Sequence, residues 1–149
     1  MEIELLNDST YPVWVVMRGD FWEDDEAKVR EAYERYKEQN RVGTAITFFA
    51  VEKDGRHVGF LDAEFRTDYV DGAQKSPVWY VEGVYVEPNR RGSGVGAFLM
   101  DHLETHVRDQ GHTEIASACE LGNDPSEAFH KAIGFREAIR SIHFVKRLI

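Results

Sequence analysis

The residues best suited to chemistry lie between Val81 and Gly96, where an apolar segment leads through Glu82 into the glycine-rich run Arg90–Gly96. When a strand runs into such a turn and then a helix, consecutive backbone N–H groups can converge on an anion, and the positive end of the helix dipole strengthens the attraction. The glycines leave out side chains that would hold an oxygen away from the backbone. The pattern therefore predicts a cradle for a pyrophosphate group.

Glu82 is the best candidate for proton transfer, because it is the one carboxylate in the apolar run Val81–Val86 and directly precedes the cradle. A partly buried carboxylate there could take the proton of an ammonium group. Successive side chains of a strand point to opposite faces, so the pattern alone is equally compatible with a side chain on the solvent face.

Trp22 stands beside the acidic run Glu23–Glu26. An indole surrounded by carboxylates would suit a sugar ring that carries ammonium groups. A core anchor before a helix whose acidic start complements the dipole is an equally simple interpretation. Tyr69, in the loop Thr67–Pro77, has the same ambiguity between loop anchor and substrate wall.

Three histidines invite a chemical interpretation. His102 and His106 are spaced i, i+4, close enough to share a metal ion, but no third ligand accompanies them. We therefore expect a solvated helix face and no metal site. His130 lies on a shorter helical segment, where a histidine is more often a surface or hydrogen-bonded residue than a proton donor, although imidazolium is a competent acid near neutral pH.

The elements that must position these residues follow from hydrophobic periodicity. A first helix begins after Ser9 or Thr10, and a second has apolar residues at helical spacing from Val29 to Tyr36. Three strands come next, joined in an antiparallel run, at Ala45–Val51, His57–Phe65 and Val78–Val86.

Beyond the cradle, a long helix at Gly94–Asp109 leads to a strand at Thr113–Ala118, and the helical crossover implies parallel pairing with the third strand. The run Asp124–Glu127 predicts a last helix capped by Asp124. The apolar segment Ile139–Leu148 predicts a strand that closes the sheet. The chain is therefore expected to form a mixed α/β fold with one parallel pair in a largely antiparallel sheet.

Composition limits the function. A chain of 149 residues fits one domain, 1–149, and its 18 basic and 27 acidic residues give a net charge of −9. That charge disfavours nucleic acid and favours a polycationic small molecule. Cys119 has no partner for a disulfide, and neither a secretory signal nor a membrane-spanning apolar run is present, which indicates a cytoplasmic protein that does not enter the membrane.

Two motifs carry a resemblance to a known family. Arg91-x-x-Gly94-x-Gly96 resembles motif A of the GCN5-related N-acetyltransferases, and Asn123–Phe135 looks like the second signature of that family. Within the family, the sequences Tyr69–Gly72, Ser76–Val78 and Glu82-Gly83, together with the Trp22 region, are similar to the aminoglycoside 6′-N-acetyltransferases.

The resemblance implies a single acetyltransferase domain, a splayed parallel strand pair with flanking helices, and acetyl-CoA as cosubstrate. By the same resemblance, the backbone of the third strand, the glycine-rich loop and the second signature would bind acetyl-CoA. The residues concerned are Val84, Tyr85, Val86, Arg91, Gly92, Ser93, Gly94, Val95, Gly96, Ala97, Asn123 and His130.

For catalysis, the resemblance implies Glu82 as general base and places His130 where many relatives have a tyrosine that protonates the CoA sulfur. Trp22, Tyr69, Glu82 and Glu120 would contact the aminoglycoside. Relatives of this subgroup carry acidic residues at the positions aligned with Ala118 and Ile139, which are apolar here. Glu120 and Glu137 lie within two residues of those positions and could substitute for them.

The sequence therefore predicts acetyl transfer to the 6′-amine of an aminoglycoside, in an enzyme that dimerises as its relatives commonly do. One alternative is the same chemistry on another amine, such as a polyamine or a peptide N-terminus, which the missing acids favour. Another is a CoA-binding sensor without turnover, which would have no need of Glu82 as a base.

Overall fold

A computed structural model describes residues 1–149. The strands are β1 (Glu2–Leu5), β2 (Ala45–Val51), β3 (His57–Arg66), β4 (Val78–Val86) and β5 (Ile115–Ala116), and the helices are α1 (Tyr11–Trp22), α2 (Glu26–Arg41), α3 (Val95–Asp109) and α4 (Asp124–Ala132). The five strands form one sheet in the order β1-β2-β3-β4-β5. Strands β1 to β4 pair antiparallel and β5 pairs parallel with β4, which confirms the predicted fold.

Helices cover both faces of the sheet. Helix α3 packs the buried residues Leu99, Leu103 and Val107 against one face, as expected from their i, i+4 spacing. Helices α1 and α2 cover the other face with a cluster that contains Trp14 and Tyr36. Both helical layers reach the middle of β4, where the predicted site lies.

Strand β4 bulges at Glu82. Asp62 of β3 pairs with Gly83, and Ala63 pairs with Val81, so Glu82 has no partner on β3. An extra residue interrupts the alternation of side chains along a strand. Val81 consequently packs on the α3 side, whereas Glu82 and the position of Gly83 both face α1.

The sequence missed or misplaced several boundaries. Strand β1 was not predicted, because an alternation of only four residues is too short to give a strong signal. The predicted strand Thr113–Ala118 is reduced to Ile115–Ala116, since β4 and β5 diverge beyond Tyr80. Helix α4 is capped by Asn123 rather than Asp124: the Asn123 Oδ1 accepts a hydrogen bond from the Ser126 N–H at 3.3 Å.

The prediction of a strand at Ile139–Leu148 is wrong. Residues 135–149 contain neither helix nor strand. No edge of the sheet pairs with this segment, and its apolar side chains, including Phe144 and Val145, are largely exposed.

Candidate active site

The cradle is a stretch of backbone N–H groups that the protein itself leaves unused. No N–H group from Gly92 to Ala97 donates a hydrogen bond within the chain, and the first helical bond of α3 runs from the Phe98 N–H to the Gly94 carbonyl at 3.0 Å. Gly92 and Gly94 have φ values of 78° and 92°, which glycine tolerates, and the space beside them is open. Free donors at the start of α3 are well suited to a pyrophosphate.

Gly96 also has a packing role, in addition to the place in the cradle that its sequence position suggested. A Cβ atom on Gly96 would lie 2.7 Å from Cε1 of Phe129 on α4. The glycine therefore allows α4 to pack against the first turn of α3. Val95 is buried beneath the cradle and Ser93 is exposed, with its hydroxyl donating to the Arg90 carbonyl.

The edge of β4 beyond its bulge faces away from β3 and is free of β5, because the two strands pair only at Trp79–Ile115 and Tyr80–Ala116. Val84 and Val86 lie along this open edge, as the resemblance implied. The Val86 carbonyl accepts a hydrogen bond from the Arg91 Nε at 3.0 Å, which ties the cradle to the end of the strand. The Tyr85 ring is buried under α1 and α2, so only its backbone is available here.

Glu82 is partly buried and already has a partner. Its carboxylate accepts two hydrogen bonds from the Arg66 guanidinium, from Nε and Nη2, both at 2.8 Å. Arg66 in turn lies over the Tyr80 ring, 3.7 Å from its centroid. The carboxylate raises the pKa of Arg66, so the pair is ionic. Glu82 thus faces the cavity under α1 rather than bulk solvent, and both of its oxygens are engaged by Arg66.

Two further carboxylates, which sequence reasoning missed, lie under α1 on the same face as Glu82. Asp62 is buried, and burial raises its pKa to about 6 although Arg18 and Thr47 oppose the shift. Glu64 is half-buried, and burial followed by repulsion from Glu82 raises its pKa. The i, i+2, i+4 spacing of Asp62, Glu64 and Arg66 in an otherwise apolar strand was the available signal.

Trp22 closes this region from above. Together with Glu82, Asp62 and Glu64, it lines a cavity of about 300 Å³ between α1, α2 and the sheet. Its indole is not a fully buried core anchor, because it lies over Gly83 at the edge of this cavity. A Cβ atom added to Gly83 would lie 2.4 Å from the Trp22 Cζ2 atom, so only glycine leaves room for the ring. The structure thereby brings together Trp22 and Glu82, which are far apart in the sequence.

Tyr69 and Glu120 line a different and larger open groove, of about 1310 Å³, between β5 and the segment after α4. The Tyr69 side chain is 79% exposed. Ala118 and Ile139, where the resemblance led us to expect acidic residues, line the same groove. Of the two proposed substitutes, Glu137 is bound by Arg140, whereas Glu120 makes no ion pair. Arg66 borders this groove, next to Glu82.

His130 is held by hydrogen bonds at both ring nitrogens. Its Nδ1 lies 2.7 Å from the Ser126 carbonyl oxygen, and its Nε2 lies 2.8 Å from the Ser117 hydroxyl. A carbonyl only accepts, so Nδ1 carries the proton and, in the neutral ring, Nε2 accepts from Ser117. The neighbouring Phe129 is the ring that packs on Gly96. Asn123, exposed at the start of α4, keeps its amide N–H₂ free.

The paired histidines of α3 do not form a solvated face, contrary to expectation. His102 meets the Phe48 ring edge-on and His106 meets Trp79, and burial lowers the pKa of both imidazoles. No group of three or more metal-ligating side chains occurs in the chain. No helix is both long and apolar enough to cross a membrane.

A bulged strand that separates from its parallel neighbour and leads into a row of free N–H groups is the arrangement that the resemblance implied for an acetyltransferase. Residues 10–135 match the Acetyltransferase (GNAT) family. The chain belongs to that family.

Similarity to particular relatives extends over nearly the whole chain. An aminoglycoside N(6′)-acetyltransferase type 1 from Acinetobacter genomosp. 13 is 34% identical over 149 residues, which are 99% of each chain. The enzyme of the same name from Stenotrophomonas maltophilia is 34% identical over 131 residues, 88% of this chain and 83% of the relative.

The solved structures that resemble this chain include enzymes of the same activity. Apo aminoglycoside 6′-N-acetyltransferase AAC(6′)-IG from Acinetobacter haemolyticus superposes with a TM-score of 0.89 at 30% identity, over 100% of both chains. AAC(6′)-Iy in complex with the bisubstrate analogue CoA-S-monomethyl-acetylneamine superposes with a TM-score of 0.86 at 32% identity, over 99% of this chain and 98% of the other.

Proposed function

We infer that this chain transfers the acetyl group of acetyl-CoA to the 6′-amine of an aminoglycoside and so confers resistance to such antibiotics. The observation that carries this function is that two features adjoin β4: the unused row of N–H donors that follows its end, and the cavity under Trp22 that is lined by carboxylates. Relatives similar over the full chain bear this activity in their names. We place the reaction in a single domain and in the cytoplasm, where thiols such as Cys119 stay reduced.

The residues present fit acetyl-CoA. The N–H groups from Gly92 to Ala97 are free to hold its pyrophosphate, and the open edge of β4 at Val84 and Val86 can pair with its extended arm. When bound, acetyl-CoA supplies an activated thioester. Asn123 offers a free amide on α4, which packs against the same turn of α3.

Glu82 accepts the proton that the acceptor ammonium must lose before its nitrogen can attack the acetyl carbon. Because Arg66 holds both oxygens of Glu82, the carboxylate is held in one orientation. An ammonium group that enters next to Glu82 competes with Arg66 for the carboxylate. Arg66 also borders the larger groove, which adjoins the pair.

His130 is better suited to holding α4 in place than to donating a proton. In the neutral ring its one proton lies on Nδ1, directed at the Ser126 carbonyl. We assign it a supporting contact beside the cofactor, and proton donation to the departing thiolate stays a prediction.

The test of this function is the release of free thiol from acetyl-CoA in the presence of different amines. We expect turnover with neamine and other aminoglycosides that carry a 6′-amine, and none with 6′-hydroxy analogues. Turnover with spermine or a peptide N-terminus, but not with neamine, would contradict the aminoglycoside as substrate and support one of the alternative amines.

A non-catalytic sensor is the second candidate, and the bidentate Arg66–Glu82 pair favours it, since a carboxylate so engaged needs no role as base. Tight binding of acetyl-CoA without thiol release with any amine would establish that interpretation.

The homodimer is proposed from the C-terminal segment. Strand β5 is an unpaired edge of the sheet, and the groove beside it is lined by Ile115 and Ile133. The segment Ile142–Ile149 carries exposed apolar side chains and pairs with nothing in its own chain. A second copy of this chain, contributing this segment, would cover both apolar surfaces.

Light scattering after size-exclusion chromatography tests the dimer. We expect a mass near twice 17.1 kDa, and a monomer for the double variant Phe144→Asp, Val145→Asp. A wild-type monomer at micromolar concentration would contradict the proposal.

A further inference from the structure

Arg18 lies between two indoles on one face of α1. The sequence places Trp14, Arg18 and Trp22 four residues apart, so their side chains stack along the helix. The guanidinium carbon is 4.6 Å from the centroid of the Trp14 ring and 4.5 Å from that of Trp22. Trp14 is fully buried, whereas Trp22 borders the cavity over Glu82. Arg18 therefore links a fixed ring to one that faces the substrate cavity.

Two carboxylates hold the guanidinium in this place. Asp24, just beyond the end of α1, accepts from the Arg18 Nε at 3.0 Å, and the buried Asp62 of β3 accepts from Nη1 at 3.3 Å. Asp62 is fixed in turn by the Thr47 hydroxyl, which donates to it at 2.8 Å. Planar guanidinium groups can form such directional hydrogen bonds and stack on rings at the same time, which an ammonium group cannot do.

Trp22 is the last residue of its helix, and its indole meets the buried Phe60 ring edge-on on one side, at 5.9 Å between ring centroids. The next residue, Glu23, has a φ of 57°, so no further helical turn packs against the indole. Phe21 is beside it at 4.6 Å between ring centroids, but Phe21 is itself 38% exposed. The Arg18 guanidinium is the charged group that lies over the indole face.

Resting on the proposed function of Trp22 as a substrate contact, we propose that Arg18 is a positioning residue for the acceptor, acting through the Trp22 indole. It holds the ring over Gly83 and beside Glu82. Its charge is balanced by Asp24 and Asp62, so the arginine orders the ring without repelling a cationic substrate. Neither of the family signatures contains Arg18.

The proposal is tested by a double-mutant cycle with neamine as acceptor. Arg18→Gln should raise the KM for neamine about tenfold, the range expected when a cation–π contact orders a ring, and leave the KM for acetyl-CoA unchanged. In a Trp22→Ala background, Arg18→Gln should have no further effect on the KM for neamine. Arg18→Lys keeps the charge but not the geometry, and should behave like Arg18→Gln.

Arg30→Gln is the matched control, since Arg30 stacks on Tyr11 at 5.0 Å, outside the acceptor cavity, and is exposed. It should leave both KM values unchanged. Equal effects of Arg18→Gln in the two backgrounds, or a lower melting temperature with unchanged KM for neamine, would overturn the proposal. If Arg18→Gln does not fold, the same cycle with Arg18→Lys decides.

These measurements distinguish a failure of the positioning role of Arg18 from a failure of the proposed function. If Trp22→Ala leaves the KM for neamine unchanged, Trp22 is not a substrate contact. In that case both the proposed role of Trp22 and the proposed role of Arg18 are wrong. If Trp22→Ala raises that KM and the Arg18 variants do not, the proposed function stands and the positioning role alone fails.

Discussion

The two sides of β4 are built by different means. On the α3 side, the cradle is made of backbone: free N–H groups and left-handed glycines, with side chains kept out. On the α1 side, the proposed acceptor cavity is made of side chains from α1, α2, β2, β3 and β4, and its carboxylates Glu82 and Asp62 form ion pairs with arginines. The first side depends on the absence of Cβ atoms, and the second on the presence of particular charges.

This difference separates what is general in the molecule from what is specific. In the proposed function, a backbone cradle would recognise the phosphates of CoA whatever the acceptor is. The acceptor side can change its substrate through a few side chains without disturbing the fold. Ala118 and Ile139, where the resemblance led us to expect acidic residues, lie outside the cradle, in the larger groove.

The largest expected effect comes from Gly94→Glu on the cradle side. The new carboxylate would strain a position with φ of 92° and repel the pyrophosphate, so we expect acetyl-CoA binding to be lost in calorimetry. Gly43→Glu is the matched control: Gly43 has φ of 82°, equally open surroundings, and lies after α2. Unchanged acetyl-CoA affinity in a folded Gly94→Glu protein would contradict the cradle.

The next effect belongs to the acceptor side. Glu82→Gln keeps the shape but cannot accept a proton, so we expect turnover to fall by about 10²-fold at neutral pH, with less loss at higher pH, where more of the amine is already deprotonated. The measurement is the pH profile of kcat and kcat/KM with neamine.

Glu38→Gln controls for the loss of a bidentate arginine partner, since Glu38 is bound by Arg41 in the same manner on the exposed end of α2. A small loss of turnover that does not vary with pH would indicate that Glu82 only attracts the cationic substrate and does not act as a base. Equal turnover of Glu82→Gln and wild type from acidic to alkaline pH would remove Glu82 from the mechanism.

The same contrast explains what could be predicted from the sequence. The cradle is local: a strand, glycines and a helix follow one another within Val81–Gly96, so the motif and its position could be identified directly. The acceptor cavity joins Arg18, Asp62 and Glu82 from three separate elements, and the pairing of Arg66 with Glu82 depends on the register and bulge of β3 and β4. No local pattern encodes such a register.

The failed strand at Ile139–Leu148 has another physical cause. The sequence correctly marks apolar residues with strand propensity, but a strand forms only where a neighbouring edge offers hydrogen-bond partners. Within one chain, none reaches this segment. The apolar pattern is therefore visible in the sequence, whereas the absence of a pairing partner is not.

A smaller loss is expected from Trp22→Ala. Removal of the indole should weaken neamine binding by about 1–3 kcal/mol, the range for a stacked aromatic contact with cations, and leave acetyl-CoA binding intact. Tyr11→Ala removes a comparable ring, under Arg30 at the other end of α1, and should change neither affinity. A sharp drop in melting temperature with unaltered neamine affinity would make Trp22 a core residue.

The smallest effect on the reaction is expected from Asp62→Asn, because the amide oxygen of the variant can still accept a hydrogen bond from Arg18. The main consequence of this substitution is a change in the stability of the protein. The folded chain holds the Asp62 proton up to a pKa of about 6, whereas an unfolded chain releases it near the ordinary value of 3.8. Between these values the folded state binds more protons, so stability is lost as pH rises. Relative to Asp62→Asn, the wild type should lose up to about 3 kcal/mol between about pH 4 and 6. Urea unfolding of both proteins across this pH range measures the difference. If the free energies of unfolding of the two proteins change with pH in parallel, ionisation of the buried carboxylate does not destabilise the fold, and the prediction is wrong.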